Sequence, residues 1–308
     1  MGTSWSLMGA SCSTPPSRIP TTTDLWAPGT AIHTMVIDGR NRDFFLHVPE
    51  SRLHRLLGWA HPYPLVIALH GSGANGETIR RQSGLDSIAE AQGWLVAYPN
   101  GVGGALGFGS DWNAGNCCGI PSRDSVNDIR FIVAVIDDLS IRFPINQRRV
   151  YVAGFSAGGR MAYHVACRAA PRIAAFAVVA GSLRDSTCVP TRPVALIAFH
   201  GTDDEEVPYD EPSDTPLRGR PIETKDSLPP SVQKWASING CTGLRKGSVV
   251  RDVSRFVFIH CRADVELYSI AGGGHGWPGE PDGAGADKPL SEIHATQLMV
   301  QFFNNHKR

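Results

Sequence analysis

Along this chain, short continuous apolar runs alternate with segments whose apolar residues recur every three or four positions. The runs at 63–71 (YPLVIALHG), 94–100 (WLVAYPN), 148–155 (RRVYVAGF), 173–182 (IAAFAVVAGS) and 193–201 (PVALIAFHG) read as strands, and 263–270 (ADVELYSI) as a further one. Between them, 85–93 (LDSIAEAQG), the stretch after Ser156, 231–239 (SVQKWASIN) and a final segment from about Pro289 to Asn304 read as helices. In 125–143, Ile129, Ile132, Val133, Ile136 and Leu139 fall along one side of a helix. Upstream, 31–49 (AIHTMVIDGRNRDFFLHVP) reads as a β-hairpin turning at Asp38-Gly39. Strands alternating with helices predict an α/β domain, with a mainly parallel central sheet and helices on both faces.

Proline, glycine and hydroxyl residues punctuate this pattern. Residues 1–30 hold Pro15, Pro16, Pro20 and Pro28 among many Ser and Thr, and form an expected flexible lead-in to one catalytic domain at 31–308. A Gly-rich loop spans Gly101 to Gly119, and a Pro-rich excursion runs from Pro208 to Pro230. No internal repeat is visible. The first twelve residues lack the basic and apolar regions of a signal peptide. The opening MGTSWS matches a myristoylation pattern formally, but GASC ahead of the Pro/Ser/Thr-rich stretch reads better as the remnant of a signal or lipoprotein cleavage region. Cys12 is then an unpaired thiol or a former lipid attachment point.

Charge narrows the partner class. The 29 basic and 29 acidic side chains balance and mix along the chain, with no basic patch suited to nucleic acid. No apolar run approaches the ~20 residues of a bilayer span. A small molecule read by a local site is the expected partner, and oligomeric state is left open. The seven cysteines show no zinc-ligand spacing, so neither a metal nor another cofactor is expected. Six of them, Cys117, Cys118, Cys167, Cys188, Cys241 and Cys261, lie within the domain and imply disulfides and an oxidising compartment, hence a secreted, periplasmic or cell-surface protein. Spacing alone leaves the connectivity open. The expected pairing joins Cys241 to Cys261, and Cys117 and Cys118 separately to Cys167 and Cys188.

The candidate chemistry sits where apolar strands end. Gly154-Phe155-Ser156-Ala157-Gly158 fits G-x-S-x-G between a strand and a helix. A sharp strand-to-helix turn forces the serine into a strained backbone conformation, and glycine two positions either side removes the obstruction. Ser156 is then presented at a helix N-terminus, where the backbone N–H of Ala157 favours a developing oxyanion. A serine nucleophile needs a base, and the base an orienting carboxylate. Four of the eleven histidines, His260, His275, His294 and His306, follow the acidic run Asp203–Glu206. His294 falls in a helix and His306 in the tail, and His275, in a Gly-rich loop after a strand, is taken as the base. Asp203 and Asp204 both qualify as the acid. His70-Gly71-Ser72-Gly73 ends another strand in a turn able to aim a backbone N–H of Ser72 at the serine, with His70 itself bonding neighbouring loops.

Taken in order, LVIALHGSG, AYPNG, DWNAGNCCG, INQRRVYVAGFSAGGRMAYHVAC, FHGTDDEEVPY and ELYSIAGGGHGWPG resemble the secreted polyhydroxybutyrate depolymerase and feruloyl esterase-like family of α/β-hydrolases, over about residues 31–305. The resemblance implies the α/β-hydrolase fold. Its H-G-x-x-D-x-x-V-P-Y pattern covers His200 to Tyr209 and selects Asp204. Its nucleophile falls on Ser156, its histidine on His275, and its oxyanion donors on Ser72 and Ala157. Many relatives have Cys at the position of Ser72 and Asn at that of Ala157, departures that leave backbone donation intact.

A secreted serine carboxylesterase is therefore expected, acting on feruloyl, acetyl or other short-acyl esters. A hydroxybutyrate oligomer depolymerase with the same machinery is the first alternative, and a catalytically silent hydrolase-fold binding protein the second. Trp112, Tyr209 and Trp277 stand in loops near the strand ends and are candidates for an apolar wall around the acyl group, or else for packing those loops on the core.

Overall fold

A computed structural model of the chain describes residues 28–50, 61–103, 109–115, 117–213, 224, 226–279 and 293–308. Cys12 and most of the N-terminal lead-in lie outside the described residues. Ten strands form one sheet: β1 (Gly29–Ile37), β2 (Arg40–Val48), β3 (Tyr63–Leu69), β4 (Leu95–Pro99), β5 (Ile145–Phe155), β6 (Ala175–Val179), β7 (Ala195–Gly201), β8 (Gly243–Val250), β9 (Val253–Ile259) and β10 (Val265–Ile270). Their spatial order is β1-β2-β4-β3-β5-β6-β7-β10-β9-β8. The strands from β4 to β10 in that order are parallel to one another. The antiparallel pairs β1–β2 and β8–β9 form the two margins. This is the mainly parallel α/β architecture that the alternation of elements implies, and the α/β-hydrolase fold that the motif resemblance implies.

Period-two alternation divides the parallel strands between two cores. Leu65, Ile67 and Leu69 of β3, with Val150 and Val152 of β5, meet one layer of helices. That layer comprises α4 (Asp128–Arg142), α5 (Ala157–Arg168) and α6 (Pro230–Ile238). Val66, Ala68, Tyr151 and Ala153 point to the opposite layer. It holds α1 (Gly76–Ser83), α2 (Leu85–Gln92) and α7 (Ala295–Asn305); the short α3 (Gly119–Arg123) caps the Gly-rich loop. Every residue of β3, β4, β6 and β7 is buried, as expected of strands covered on both faces.

The hairpin turns where expected, with Asp38 and Gly39 both at positive φ (51° and 76°), the geometry of a two-residue primed turn. Other details differ. α4 buries Phe131, Ile132, Val135, Ile136 and Leu139, so its inner face is rotated from the expected stripe and leaves Ile129 and Val133 at the margin. The β8–β9 hairpin and α1 were not anticipated. β8 is largely exposed (GLRKGSVV), and its charged, open face carries little hydrophobic signal.

The disulfides bear out one of the three expected pairs and correct the other two. Cys241–Cys261 forms as expected, between the end of α6 and the turn before β10. Cys167 pairs with Cys188, but Cys117 pairs with its chain neighbour Cys118. The separate pairing fails because Cys188 is already taken by Cys167 on the last turn of α5. Non-reducing proteolysis with mass spectrometry should recover Cys167–Cys188 and Cys241–Cys261 as cross-linked peptides, with the Cys117–Cys118 bond inside a single peptide. Replacing Cys241 and Cys261 together with serine should lower unfolding free energy by about 3 kcal/mol, given the loop they close; an unchanged denaturation midpoint would contradict that.

Candidate active site

β5 passes into α5 through one residue, Ser156. It adopts φ 55° and ψ −120°, a region that residues with a side chain seldom occupy. The neighbouring strand and the helix hold it there. Its N–H donates to the Val179 carbonyl at 3.0 Å, and its carbonyl accepts from the Arg160 N–H at 3.0 Å. Gly154 and Gly158 make the turn possible. A Cβ at 154 would strike the Gly158 carbonyl, and one at 158 would strike the carbonyls of Leu69 and His70. Ser156 itself stays half-buried rather than packed away. Ala157 opens α5, where the first N–H groups have no intrahelical acceptor.

The turn after β3 lies directly against this serine. A Cβ placed on Gly71 would come within 3.3 Å of Ser156 Cβ. Ser72 is exposed, and its hydroxyl donates to Asp111 Oδ2 at 2.7 Å. His70 is buried and bonds loops, as expected. Its Nδ1–H donates to the Gly71 carbonyl at 2.7 Å, and Nε2 accepts from the Gly101 N–H at 2.9 Å. Burial lowers its pKa to about 4, so the ring is neutral at pH 7 and fastens the turn without charge.

The loops after β7 and β10 bring a carboxylate and an imidazole together. His275 Nδ1 lies 2.9 Å from Asp204 Oδ2 and 3.0 Å from Oδ1. The Nδ1–H tautomer donates to the carboxylate and leaves Nε2 with its lone pair free for a proton. The His275 ring also packs on Phe155, with centroids 4.8 Å apart, which sets it beside the residue preceding Ser156. Asp204 Oδ1 further accepts the N–H groups of Val207 (2.8 Å) and Glu206 (3.0 Å). Asp203, by contrast, is exposed and contacts the Thr202 hydroxyl.

Burial opposes charge on Asp204, but the nearby His200 ring and hydrogen bonds from His275 and the Val207 N–H outweigh it and hold the carboxyl well below the usual carboxylate range. His200, which sequence reasoning passed over, is therefore part of this corner. Its Nε2 donates to the Val207 carbonyl at 2.8 Å and lies 3.4 Å from Asp204 Oδ2, closing the acidic turn from beneath. Arg160 is a second residue missed. It sits one turn beyond Ser156 and pairs with Glu211 of the Pro-rich excursion at 3.0 Å. Its only sequence signal is the i+4 spacing from the serine.

The expected aromatic wall is corrected by burial. Trp112 and Trp277 expose none of their surface. The Trp112 indole donates to the His70 carbonyl at 2.9 Å, and that of Trp277 to the Thr296 hydroxyl at 2.8 Å. Tyr209 is buried as well, its hydroxyl donating to Ser269 Oγ at 2.8 Å. All three act as ties between loops, because a large ring with a satisfied polar end is better placed inside. His294 stands exposed at the start of α7 and His306 at its end, remote in sequence from the acid–base pair. Among the described residues no group of three His, Cys, Asp or Glu side chains is disposed to hold a metal ion. No described helix is long and apolar enough to cross a membrane.

The chain is similar to several known proteins. No protein-family model matches the chain. Feruloyl esterase B of Piromyces equi is 31% identical over 221 residues, which cover 69% of this chain and 39% of that enzyme, so the chain spans about two-fifths of that relative's length. NocK of Nocardia uniformis subsp. tsuyamanensis, named as a candidate esterase, is 30% identical over 273 residues, 81% of this chain and 74% of its own. The solved acetyl xylan esterase from Aspergillus awamori superposes with a TM-score of 0.59 at 14% identity, over 88% of this chain and 98% of its own, a likeness of fold. The chain belongs to the esterase family that includes NocK, and its fold is that of the α/β-hydrolases.

The depressed pKa of Asp204 makes a prediction about stability. Its folded value lies below the ~3.9 of an unfolded aspartate, so its charge stabilises the fold above that pH, and the contribution is lost as pH falls through the folded value. The stability gap between the native chain and Asp204→Asn, measured by urea unfolding, should be large at pH 7 and shrink steadily below pH ~4. A gap that stayed constant into acid would show that the charge on Asp204 contributes nothing.

Proposed function

We propose that this chain is a secreted serine carboxylesterase that cleaves hydroxycinnamoyl or short-acyl esters through Ser156, His275 and Asp204. One observation carries the reading: an imidazole already oriented by a buried carboxylate packs on Phe155, next to a serine held at positive φ on a helix N-terminus. Ser156 Oγ attacks the ester carbonyl while His275 Nε2 takes its proton. The tetrahedral oxyanion receives the N–H groups of Ser72 and Ala157. His275 then delivers the proton to the departing alkoxide, which leaves as the alcohol, and the acyl group remains on Ser156. Water, deprotonated by the same nitrogen, attacks the acyl-enzyme and releases the acid. Asp204 keeps the ring in the Nδ1–H tautomer and stabilises it when doubly protonated. Secretion is supported by the three disulfides among the described residues. The acyl class is supported by the names of the relatives, which include feruloyl and acetylxylan esterases.

A fluorophosphonate should label the native chain at Ser156. Ser156→Ala should lose both labelling and ester hydrolysis while keeping its melting temperature. Asp204→Asn should cost on the order of 10⁴ in kcat, as for other triads that lose the correct histidine tautomer, whereas Asp203→Asn should change it little. Hydrolysis retained in Ser156→Ala would reject the nucleophile, and equal losses at 203 and 204 would reject the acid. Rates on methyl ferulate, p-nitrophenyl acetate and hydroxybutyrate oligomers then rank the acyl classes; a preference for the oligomers would replace the feruloyl or short-acyl reading with the depolymerase one.

A further inference from the structure

The segment 110–112 closes on the oxyanion turn residue by residue. The Ser110 carbonyl accepts the Gly73 N–H at 2.9 Å, Asp111 Oδ2 accepts the Ser72 hydroxyl at 2.7 Å, and the Trp112 indole donates to the His70 carbonyl at 2.9 Å. Three consecutive residues of one loop thus each hold one residue of the turn after β3. The segment is itself rigidly placed. Asp111 exchanges both backbone hydrogen bonds with Val102, at 2.9 and 3.1 Å, and its Oδ1 accepts the Trp112 N–H at 3.0 Å. The Cys118 N–H returns to the Trp112 carbonyl at 2.8 Å. Asp111 is buried, whereas Ser72 is exposed. The tether therefore runs from a fixed anchor to an exposed member of the turn.

We propose that Asp111 is a positioning residue for ester hydrolysis, holding Ser72 so that its backbone N–H faces the oxyanion formed at Ser156. The inference rests on the serine esterase reading above. Within the turn only one backbone bond spans Ser72, from the Ala74 N–H to the Gly71 carbonyl at 3.2 Å, and Gly71 and Gly73 flank it, Gly73 at φ 75°. Glycines on both sides leave few side-chain restraints on the Ser72 peptides, so a held Ser72 side chain adds to that bond. An oxyanion donor stabilises the transition state only when preorganised, since turning it during the reaction costs the energy it would supply. The carboxylate fits this task because it accepts the Ser72 hydroxyl and the Trp112 N–H on separate oxygens.

The test compares Asp111→Ala, Asp111→Asn, Ser72→Ala and the double alanine variant on one ester, with an arylboronic acid as a tetrahedral analogue that adds to the serine. Asp111→Ala should lower kcat roughly 10- to 100-fold with KM little changed, less than complete removal of a donor, and should weaken boronate binding by the same factor. The boronate separates positioning from a structural role. A partly unfolded sample loses active molecules, but those remaining bind the inhibitor as before. Asp111→Asn should restore most of the loss, because its carbonyl still accepts from Trp112 while its amide donates to the Ser72 oxygen. The double variant should lose no more than either single one, as expected of two ends of one tether.

Boronate affinity preserved in Asp111→Ala, multiplying losses in the double variant, or an Asn variant as poor as the Ala variant would each overturn the inference. A native chain that neither hydrolyses the ester nor binds the boronate would instead overturn the esterase reading, and this inference with it.

Discussion

The site depends on one backbone constraint, the positive φ of Ser156 where β5 becomes α5. Such a conformation costs roughly 1–3 kcal/mol and persists only where its surroundings leave no alternative. Here the first turn of α5 lies against the carbonyls of Leu69 and His70 with only hydrogen at 158 between them, and against β5 with only hydrogen at 154. That contact fixes more than the serine. It brings the end of β3 against Ser156, so that Gly71 abuts it. A methyl group at 158 would separate α5 from β3, one at 154 would push α5 off β5, and either would move Ser156 relative to the turn after β3.

The acid and base reach the same edge by a different route. β10 pairs in parallel with β7 although α6, β8 and β9 intervene in the chain. Their ends are stapled by the Thr202 N–H to the Ile270 carbonyl and by the Asp203 N–H to the Gly273 carbonyl, both at 2.9 Å. Asp203 thus uses its backbone to join the loops, and Asp204 is left to turn its side chain inward onto His275. The adjacent acids have different work because one peptide bond separates a residue facing solvent from one facing the corner. The order serine, acid, histidine follows from the strands β5, β7 and β10 ending on a common edge.

This explains which features were legible in the chain. Strands buried on both faces and a serine bracketed by glycines leave strong local marks, because burial and steric clearance restrict residue type at each position. The choice of Asp204 over Asp203 left none in the residues themselves; it came from the motif resemblance, and physically it is set by which carboxylate receives the N–H groups of Glu206 and Val207. The face of α4 was misjudged because Phe131 and Val135 form a stripe as plausible as Ile129 and Val133, and only the packed sheet decides. β8 was missed because an exposed margin strand has no buried face to demand apolar residues. Two of the three expected cysteine pairs differ for a similar reason: pairing is a property of distance in the fold, which the spacing along the chain does not give.

The aromatic residues show how the fold divides its apolar surface. Trp112, Trp277 and Tyr209 were plausible as walls for an acyl group, yet each is drawn inside with its polar atom satisfied. A buried tryptophan that hydrogen-bonds to a second segment ties the two more tightly than contact alone, because leaving its N–H or the partner carbonyl unpaired inside the protein is costly. Trp112 ties the Gly-rich loop to the turn after β3, and Trp277 ties the histidine loop to α7. Loop order is thereby supplied by folding before substrate arrives. Groups that must meet a transient oxyanion or hold one tautomer gain most from such order, since they then need no reorganisation during the reaction. These three rings therefore hold the frame at the strand ends and present almost no surface of their own to a bound molecule there.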